Sequence, residues 1–294
     1  MTTDASPSAT RPHALVTFGR MVKFSHTIFA LPFALSAAAI ASRGVGLPIA
    51  RLVAIVLAMA GARTAAMGFN RIVDRKIDAR NPRTASRELP RGDVSVRAAW
   101  LLTALSTAVF IAAAAYLGPL CLALTPVALV LLFGYSLTKR FTALCHLVLG
   151  AAIASGPAGA WIAVRGDFGR IPGLLMLAVG AWIGGFDVLY ALADRDFDRS
   201  AGLHSIPARL GVPGALIVSG ALHVVTIVCL AALGPMAGLG NIYLIGVAVV
   251  TGLLIWEHAI VTPGDLSRLN VAFFSLNGYV SLVFLAATLA DILL

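Results

Sequence analysis

A chain of 294 residues that is 59% apolar and only 12% charged, with a mean hydropathy of +0.92, falls outside the soluble globular class, where about a quarter of residues are charged. It carries 22 Lys and Arg against 13 Asp and Glu, a net charge of +9. The basic residues cluster beside apolar stretches rather than in one solvated patch, which points to anionic lipid heads and excludes nucleic acid as the partner. Cys121, Cys145 and Cys229 are isolated within apolar segments and read as small core residues, not as a disulfide framework or a metal set.

The first 20 residues are polar, with Pro and Ser and no apolar core leading to a small-residue cleavage site. They read as a disordered cytoplasmic tail rather than a signal peptide. Residues 21–294 read as a single all-α transmembrane domain. A spanning helix needs roughly 20 mainly apolar residues, and nine such stretches follow one another. They run from Met21 to Ser42, Pro48 to Phe69, Val96 to Leu117, Leu120 to Leu137, Ala143 to Val164, Pro172 to Ala193, Ala215 to Gly234, Asn241 to His258 and Val271 to Leu294. Arg43, Arg51, Arg165 and Arg170 lie on one set of connections and Arg63 lies inside the second stretch, so the remaining 17 of the 22 basic residues belong to the other side. The positive-inside rule makes that side cytoplasmic, with the N-terminus in and the C-terminus out.

Two acidic motifs end the second and sixth stretches at that cytoplasmic side: Asn70-x3-Asp74-x3-Asp78 and Tyr190-x3-Asp194-x-Asp196-x-Asp198. On a helix, positions four apart drift by only about 40°, so each motif forms one stripe. Magnesium takes oxygen ligands, usually one or two carboxylates, and leaves its other positions to water and substrate phosphate; two facing stripes therefore suit two magnesium ions and a prenyl diphosphate. Taken singly, either motif reads as solvated charge at a helix end. Two stripes of the same spacing on one side, each continuous with a spanning helix, argue for function, because ionisable groups at membrane depth are costly.

Arg63 precedes Asn70 by seven residues, roughly 10 Å deeper in the same helix. A guanidinium there needs an anion, either a motif aspartate or the carboxylate or phosphate of a substrate. The segment after the first motif carries Arg80, Arg83, Arg87 and Arg91 between Pro82 and Pro90, an ordered loop whose cations would balance a bound diphosphate or simply follow the positive-inside rule. Pro32, Pro126 and Pro157 interrupt apolar stretches and keep an ion-coupled transporter in view, although transporter sites belong near the midplane and these aspartates fall near one edge.

Arg63…Asn70-x3-Asp74-x3-Asp78, Asn81-Pro-Arg-Thr-x2-Arg87-x-Leu-Pro-x-Gly92, Tyr135-x3-Lys139-Arg140-Phe-Thr142 and Asp187-x2-Tyr190-Ala-x2-Asp194-x3-Asp198-x3-Gly202-x-His204-Ser205 together resemble the UbiA superfamily of intramembrane prenyltransferases. The resemblance covers the chain from Phe24 to the last helix. It implies nine transmembrane helices around a central cavity and magnesium-dependent transfer of a polyprenyl group to an aromatic ring, in a bacterial inner membrane. Asn70, Asp74, Asp78, Asp194 and Asp198 would then bind magnesium diphosphate, with Asp187 and Tyr190 on the cavity side. Arg80, Arg83, Lys139, Arg140 and His204 would join Arg63 in binding substrate. Phe24-Ser-His-Thr-Ile-Phe-Ala-Leu-Pro-Phe33 and Gly202-Leu-His-Ser-Ile-Pro207 look like the group labelled 4-hydroxybenzoate polyprenyltransferase, including members assigned to the futalosine route to menaquinone. Ubiquinone enzymes usually have Lys at the position of His204, so the acceptor stays open between 4-hydroxybenzoate and a dihydroxynaphthoate. Haem O and chlorophyll synthases share the aspartates but less of the flanking sequence. Asp187 and Asp194 are the candidates for removing the ring proton.

Overall fold

The computed structural model describes residues 14–21 and 27–294. Phe24 to His26 of the Phe24–Phe33 motif, and residues 1–13 of the expected tail, lie outside them; Ala14–Met21 form a short helix. Among the described residues there is no β-strand, only an isolated bridge between Thr262 and Asp265. Nine apolar helices follow: α1 Thr27–Ser42, α2 Ile49–Asp78, α3 Val96–Leu117, α4 Pro119–Thr138, α5 Cys145–Arg165, α6 Arg170–Tyr190, α7 Ile206–Met236, α8 Asn241–Ile260 and α9 Asn277–Leu293. Eight spans are long and apolar enough to cross a membrane, and α1 is shorter. Large side chains such as Ile49, Ile217 and Val130 stand mostly exposed on the outside, a surface that only lipid suits. The chain is an integral membrane protein.

Small residues set the helix spacing, since lipid offers no hydrophobic force to drive helices together. Gly150 of α5 lies so close to α6 that a Cβ there would meet the Gly180 carbonyl oxygen at 2.3 Å, and one on Gly246 of α8 would meet the Ala287 Cβ of α9 at 2.2 Å. The alanine face of α1 (Ala34, Ala37, Ala38 and Ala41) is wholly buried as α1 packs against α5 and α9. Phe33 joins these layers by stacking on Phe284 at 4.6 Å and tilting against Trp182 at 4.9 Å. Deep polar groups pair with one another: Trp182 Nε1 donates to Asn277 Oδ1 at 2.7 Å, Asn277 Nδ2 donates to Glu257 Oε1 at 2.7 Å, and His223 meets His258 at 3.0 Å. Pro32, Pro126 and Pro157 all lie within continuous helices.

Three departures from the expected spans position the site. Helix α2 continues nine residues past Phe69 to Asp78, a length of about 45 Å at about 1.5 Å per residue, so its last turns outrun a hydrocarbon core of about 30 Å. Helix α7 starts at Ile206 rather than Ala215, capped by the Ser205 side chain, and kinks at Gly211, whose φ of 72 only Gly adopts freely, before Pro213 restarts it. The sixth span ends at Tyr190, after which Ala191–Asp194 tighten into a 3₁₀ turn and Arg195–Ser200 form a short helix. The second motif is therefore not on one continuous helix, and the four-residue stripe argument holds only for the first.

Candidate active site

The ends of α2, α4 and α6 meet at one membrane face around a cavity of about 210 Å³. The first motif lines it from unbroken α-helix: Asn70 Nδ2 donates to Asp74 Oδ2 at 2.9 Å, one turn on, which fixes the stripe that the spacing predicts. The connection after α2 is tied down locally. The Arg83 amide donates to Asn81 Oδ1 at 3.0 Å, an Asx turn, and the Thr84 hydroxyl donates to the Asp78 carbonyl at 3.1 Å. Gly92 in the left-handed conformation closes the single helical turn Glu88–Arg91. These bonds aim Arg83 and Arg87 back over the helix ends.

Every motif carboxylate has a cationic partner. Arg87 Nη1 donates to both oxygens of Asp78, at 2.7 and 2.8 Å. Arg140 Nη2 donates to Asp74 Oδ1 at 2.8 Å and to the Val73 carbonyl at 2.9 Å. Arg83 grips Asp194 with Nε at 2.7 Å and with Nη2 on the other oxygen, while Asn81 Nδ2 adds a bond at 2.9 Å. Lys139 Nζ donates to the fully buried Asp198 at 3.1 Å. Burial alone would lower the Lys139 ammonium, but Asp198 beside it outweighs that and holds it above the usual lysine value. The loop after the first motif thus binds the second, and the end of α4 binds both.

Tyr135, Tyr190 and Phe197 give the cavity wall an aromatic part, and Phe273 and Phe274 pack behind Tyr190. Tyr190 stacks on Phe273 at 4.0 Å with the rings 22° apart, and its hydroxyl accepts from Arg83 Nη1 at 2.9 Å. Phe273 and Phe274 sit on a π-helical turn, Val271–Leu276, that leads into α9. Asp187 lines the cavity one turn before Tyr190, and His146 Nδ1 lies 2.6 Å from its Oδ2.

Of the site residues expected from the sequence, Asn70, Asp74, Asp78, Arg83, Lys139, Asp187, Tyr190, Asp194 and Asp198 line this cavity. Arg140 reaches it through Asp74. Arg80 and His204 are exposed and stand outside the lining. Arg63 is outside it too, near enough to Tyr135 of the cavity wall for their charges to interact. His146 and the Phe273–Phe274 pair were not singled out from sequence. A lone His in the first turn of an apolar helix and two Phe in the last apolar stretch carry no spacing signal; only packing brings them to the site.

Among the described residues no three acidic, His or Cys side chains converge as a ready-made metal cage. Magnesium does not need one, since it binds through one or two carboxylates and fills its sphere with water and phosphate oxygen. Asp74, Asp78, Asp194 and Asp198 all line the cavity and present only oxygen donors, the chemistry such a metal takes, with the Asn70 amide beside Asp74.

The family model for the UbiA prenyltransferase family matches residues 30–279, which is most of the chain and contains both acidic motifs and the loops that follow them. The chain belongs to the UbiA prenyltransferase family. It is an enzyme, a transferase. Its curated relatives include 4-hydroxybenzoate octaprenyltransferase of Sodalis glossinidius (strain morsitans), 32% identical over 248 residues that span 84% of this chain and 85% of that one. The enzyme of the same name from Klebsiella pneumoniae subsp. pneumoniae is 33% identical over 221 residues, 75% of this chain and 76% of that one. Among solved structures, a UbiA homolog from Aeropyrum pernix K1 in its apo form superposes with a TM-score of 0.83 at 37% identity, covering 92% of this chain and 98% of that one. A UbiA homolog from Archaeoglobus fulgidus bound to GPP and Mg2+ gives a TM-score of 0.71 over 95% and 100% of the two chains; at 21% identity that likeness is one of fold.

Proposed function

We propose that this UbiA-family member transfers a polyprenyl group from an allylic diphosphate to a ring carbon of a phenolic carboxylic acid, 4-hydroxybenzoate or a dihydroxynaphthoate, in ubiquinone or menaquinone biosynthesis. The observation that carries the reading is the pair of carboxylate walls facing one cavity, each carboxylate already matched to a cation. Asp74, Asp78, Asp194 and Asp198 would hold the metal of a bound metal diphosphate, and Arg83, Arg87, Lys139 and Arg140 would then be free for its phosphate oxygens, so that no charge would be stranded. Magnesium, when held by Asp74, Asp78, Asp194 and Asp198, neutralises the diphosphate and makes it a better leaving group.

The remaining chemistry falls to the chain's own residues. The allylic C–O bond breaks and the diphosphate leaves with the electron pair, held by the loop cations. Tyr190 on the cavity wall offers an aromatic surface to the cationic carbon, and Phe273 and Phe274 packed behind it help keep water out. The ring carbon ortho to the phenol forms the new C–C bond, and the Asp187 carboxylate takes the ring proton, restoring aromaticity. Arg63, close enough to Tyr135 of the cavity wall for an electrostatic interaction, is assigned to the acceptor carboxylate. The density of basic residues at the cavity face supports a cytoplasmic opening in a bacterial inner membrane.

The test is an assay of membranes carrying the protein, with radiolabelled allylic diphosphate, each acceptor and magnesium. Labelled prenylated acid is expected, and its loss on chelation with EDTA should be reversed by magnesium. No product with either acid would refute the acceptor reading, and full activity without divalent ions would refute the metal assignment.

A further inference from the structure

His146 is 3% exposed in the first turn of α5, and both of its ring nitrogens are engaged. The backbone N–H of Ile206 points at Nε2 from 3.3 Å. A backbone N–H can only donate, so Nε2 presents its lone pair and the proton of the neutral imidazole stands on Nδ1. Nδ1 lies 2.6 Å from Asp187 Oδ2, which therefore receives that proton as a hydrogen bond. Protonating Nε2 as well would set donor against donor.

Ile206 is the first residue of α7, where the N–H has no acceptor within its own helix. The imidazole supplies that acceptor. The same strand of chain is fastened twice more: the His204 amide donates to the Lys139 carbonyl at 2.7 Å, and Cys145 Sγ lies 3.5 Å from the His204 carbonyl oxygen. The segment that follows the second motif is thereby laid along the start of α5, and its helix end determines which nitrogen of His146 carries the proton. Asp187, at the other end of this chain of bonds, keeps a quarter of its side chain exposed in the cavity wall.

We propose that His146 is a positioning residue that holds Asp187 as an aimed carboxylate, with the start of α7 locking the tautomer that makes this possible. The proposal rests on the reading of the reaction above and deepens it. After the C–C bond has formed, the ring is a cation bearing both the prenyl group and a hydrogen at one carbon. That C–H bond breaks, its electron pair returns to the ring, and the proton passes to Asp187, which becomes a carboxylic acid. The Nδ1–H bond keeps the side chain from rotating away from the ring carbon.

The test compares purified full-length wild type with His146→Leu, His146→Gln and Asp187→Asn. Acceptor carrying protium or deuterium ortho to the phenol is used, and melting in detergent is followed in parallel. Positioned proton transfer supplies roughly 10²–10⁴-fold, so Asp187→Asn is expected to lower kcat by about 10²-fold and His146→Leu by about 10-fold or more. The diphosphate KM should stay within about 2-fold, and the ring-deuterium isotope effect on kcat should rise above the wild-type value, because proton removal becomes slow. Gln carries both a donor and an acceptor and should recover most of the lost rate. In the Asp187→Asn background, adding His146→Leu should cost less than about 2-fold more. Wild-type kcat in His146→Leu, or a loss that adds fully to that of Asp187→Asn with an unchanged isotope effect, overturns the proposal. If the Leu variant does not fold, wild-type kcat in Asp187→Asn, whose amide oxygen still accepts from His146, overturns it alone. Wild type that prenylates neither acid refutes the acceptor reading and this inference with it, whereas wild-type product without coupling refutes only the role of His146.

Discussion

The two acidic walls face one cavity but are built differently. The first rides on α2, unbroken to Asp78, and its residues are ordered mostly by neighbours on the same helix or in the loop that follows, Asn70 on Asp74 and Arg87 on Asp78, with Arg140 as the one distant partner, on Asp74. The second follows a helix that stops at Tyr190 and tightens, and its carboxylates are held from elsewhere, Asp194 by Arg83 and Asn81, Asp198 by Lys139. One wall rests mainly on helix period, the other wholly on tertiary contacts. The second wall should therefore be the more sensitive to residues distant in sequence.

The largest effect is expected where both walls supply a carboxylate. Asp74→Ala and Asp194→Ala should each lower kcat by at least about 10²–10³-fold, the range for removing one electrostatic stabiliser of a developing charge, while the protein stays folded in detergent. Near-normal turnover in either at saturating magnesium would show that its wall is not used.

Arg83→Ala comes next, because it cuts the bond between the walls. With Asp194 and Tyr190 released, kcat/KM for the diphosphate should fall by about 10²-fold, as expected when reacting groups are misplaced by an ångström or so. Arg83→Lys should recover little, since a point charge cannot bridge two carboxylate oxygens and a phenol. Arg87→Ala serves as the comparison. Its partner Asp78 is already held by helix α2, so its loss should be several-fold smaller; equal losses would erase the distinction between the walls.

Arg63→Lys should act on the acceptor alone. It retains the charge near Tyr135 but loses the fork, so the acceptor KM should rise by roughly 10-fold, consistent with about 1.5–3 kcal/mol for a charge-assisted hydrogen bond. The diphosphate KM should move less than about 2-fold. A selective rise for the diphosphate would reassign Arg63 to the leaving group.

The smallest effect belongs to Phe273→Leu. The stacked pair with Tyr190 is worth about 0.5–1.5 kcal/mol beyond its buried area, so a loss of about 2–10-fold in kcat is expected, together with more hydrolysis of the diphosphate to free prenyl alcohol as water gains access. An unchanged ratio of alcohol to prenylated acid would remove the π-helical turn from the site.

Hydropathy alone placed the nine apolar helices and their order, because burying a backbone in lipid demands long apolar helices whatever they pack against. The four-residue period of the first motif was equally legible, since Asn70, Asp74 and Asp78 share an unbroken helix. What the tertiary structure decided was everything that depends on where a chain turns. The 3₁₀ turn at Ala191–Asp194 contains no Pro or Gly to announce it, and the pairings of Arg83 with Asp194 and Lys139 with Asp198 span 111 and 59 residues. Arg80 and Arg83 stand three residues apart with the same charge, and only the Asx turn at Asn81 sends one to the cavity while the other stays exposed. His146 was hidden for the same reason: its chemistry lies in an N–H 60 residues away and a carboxylate 41 residues away, partners that helix packing brings together and no local pattern records.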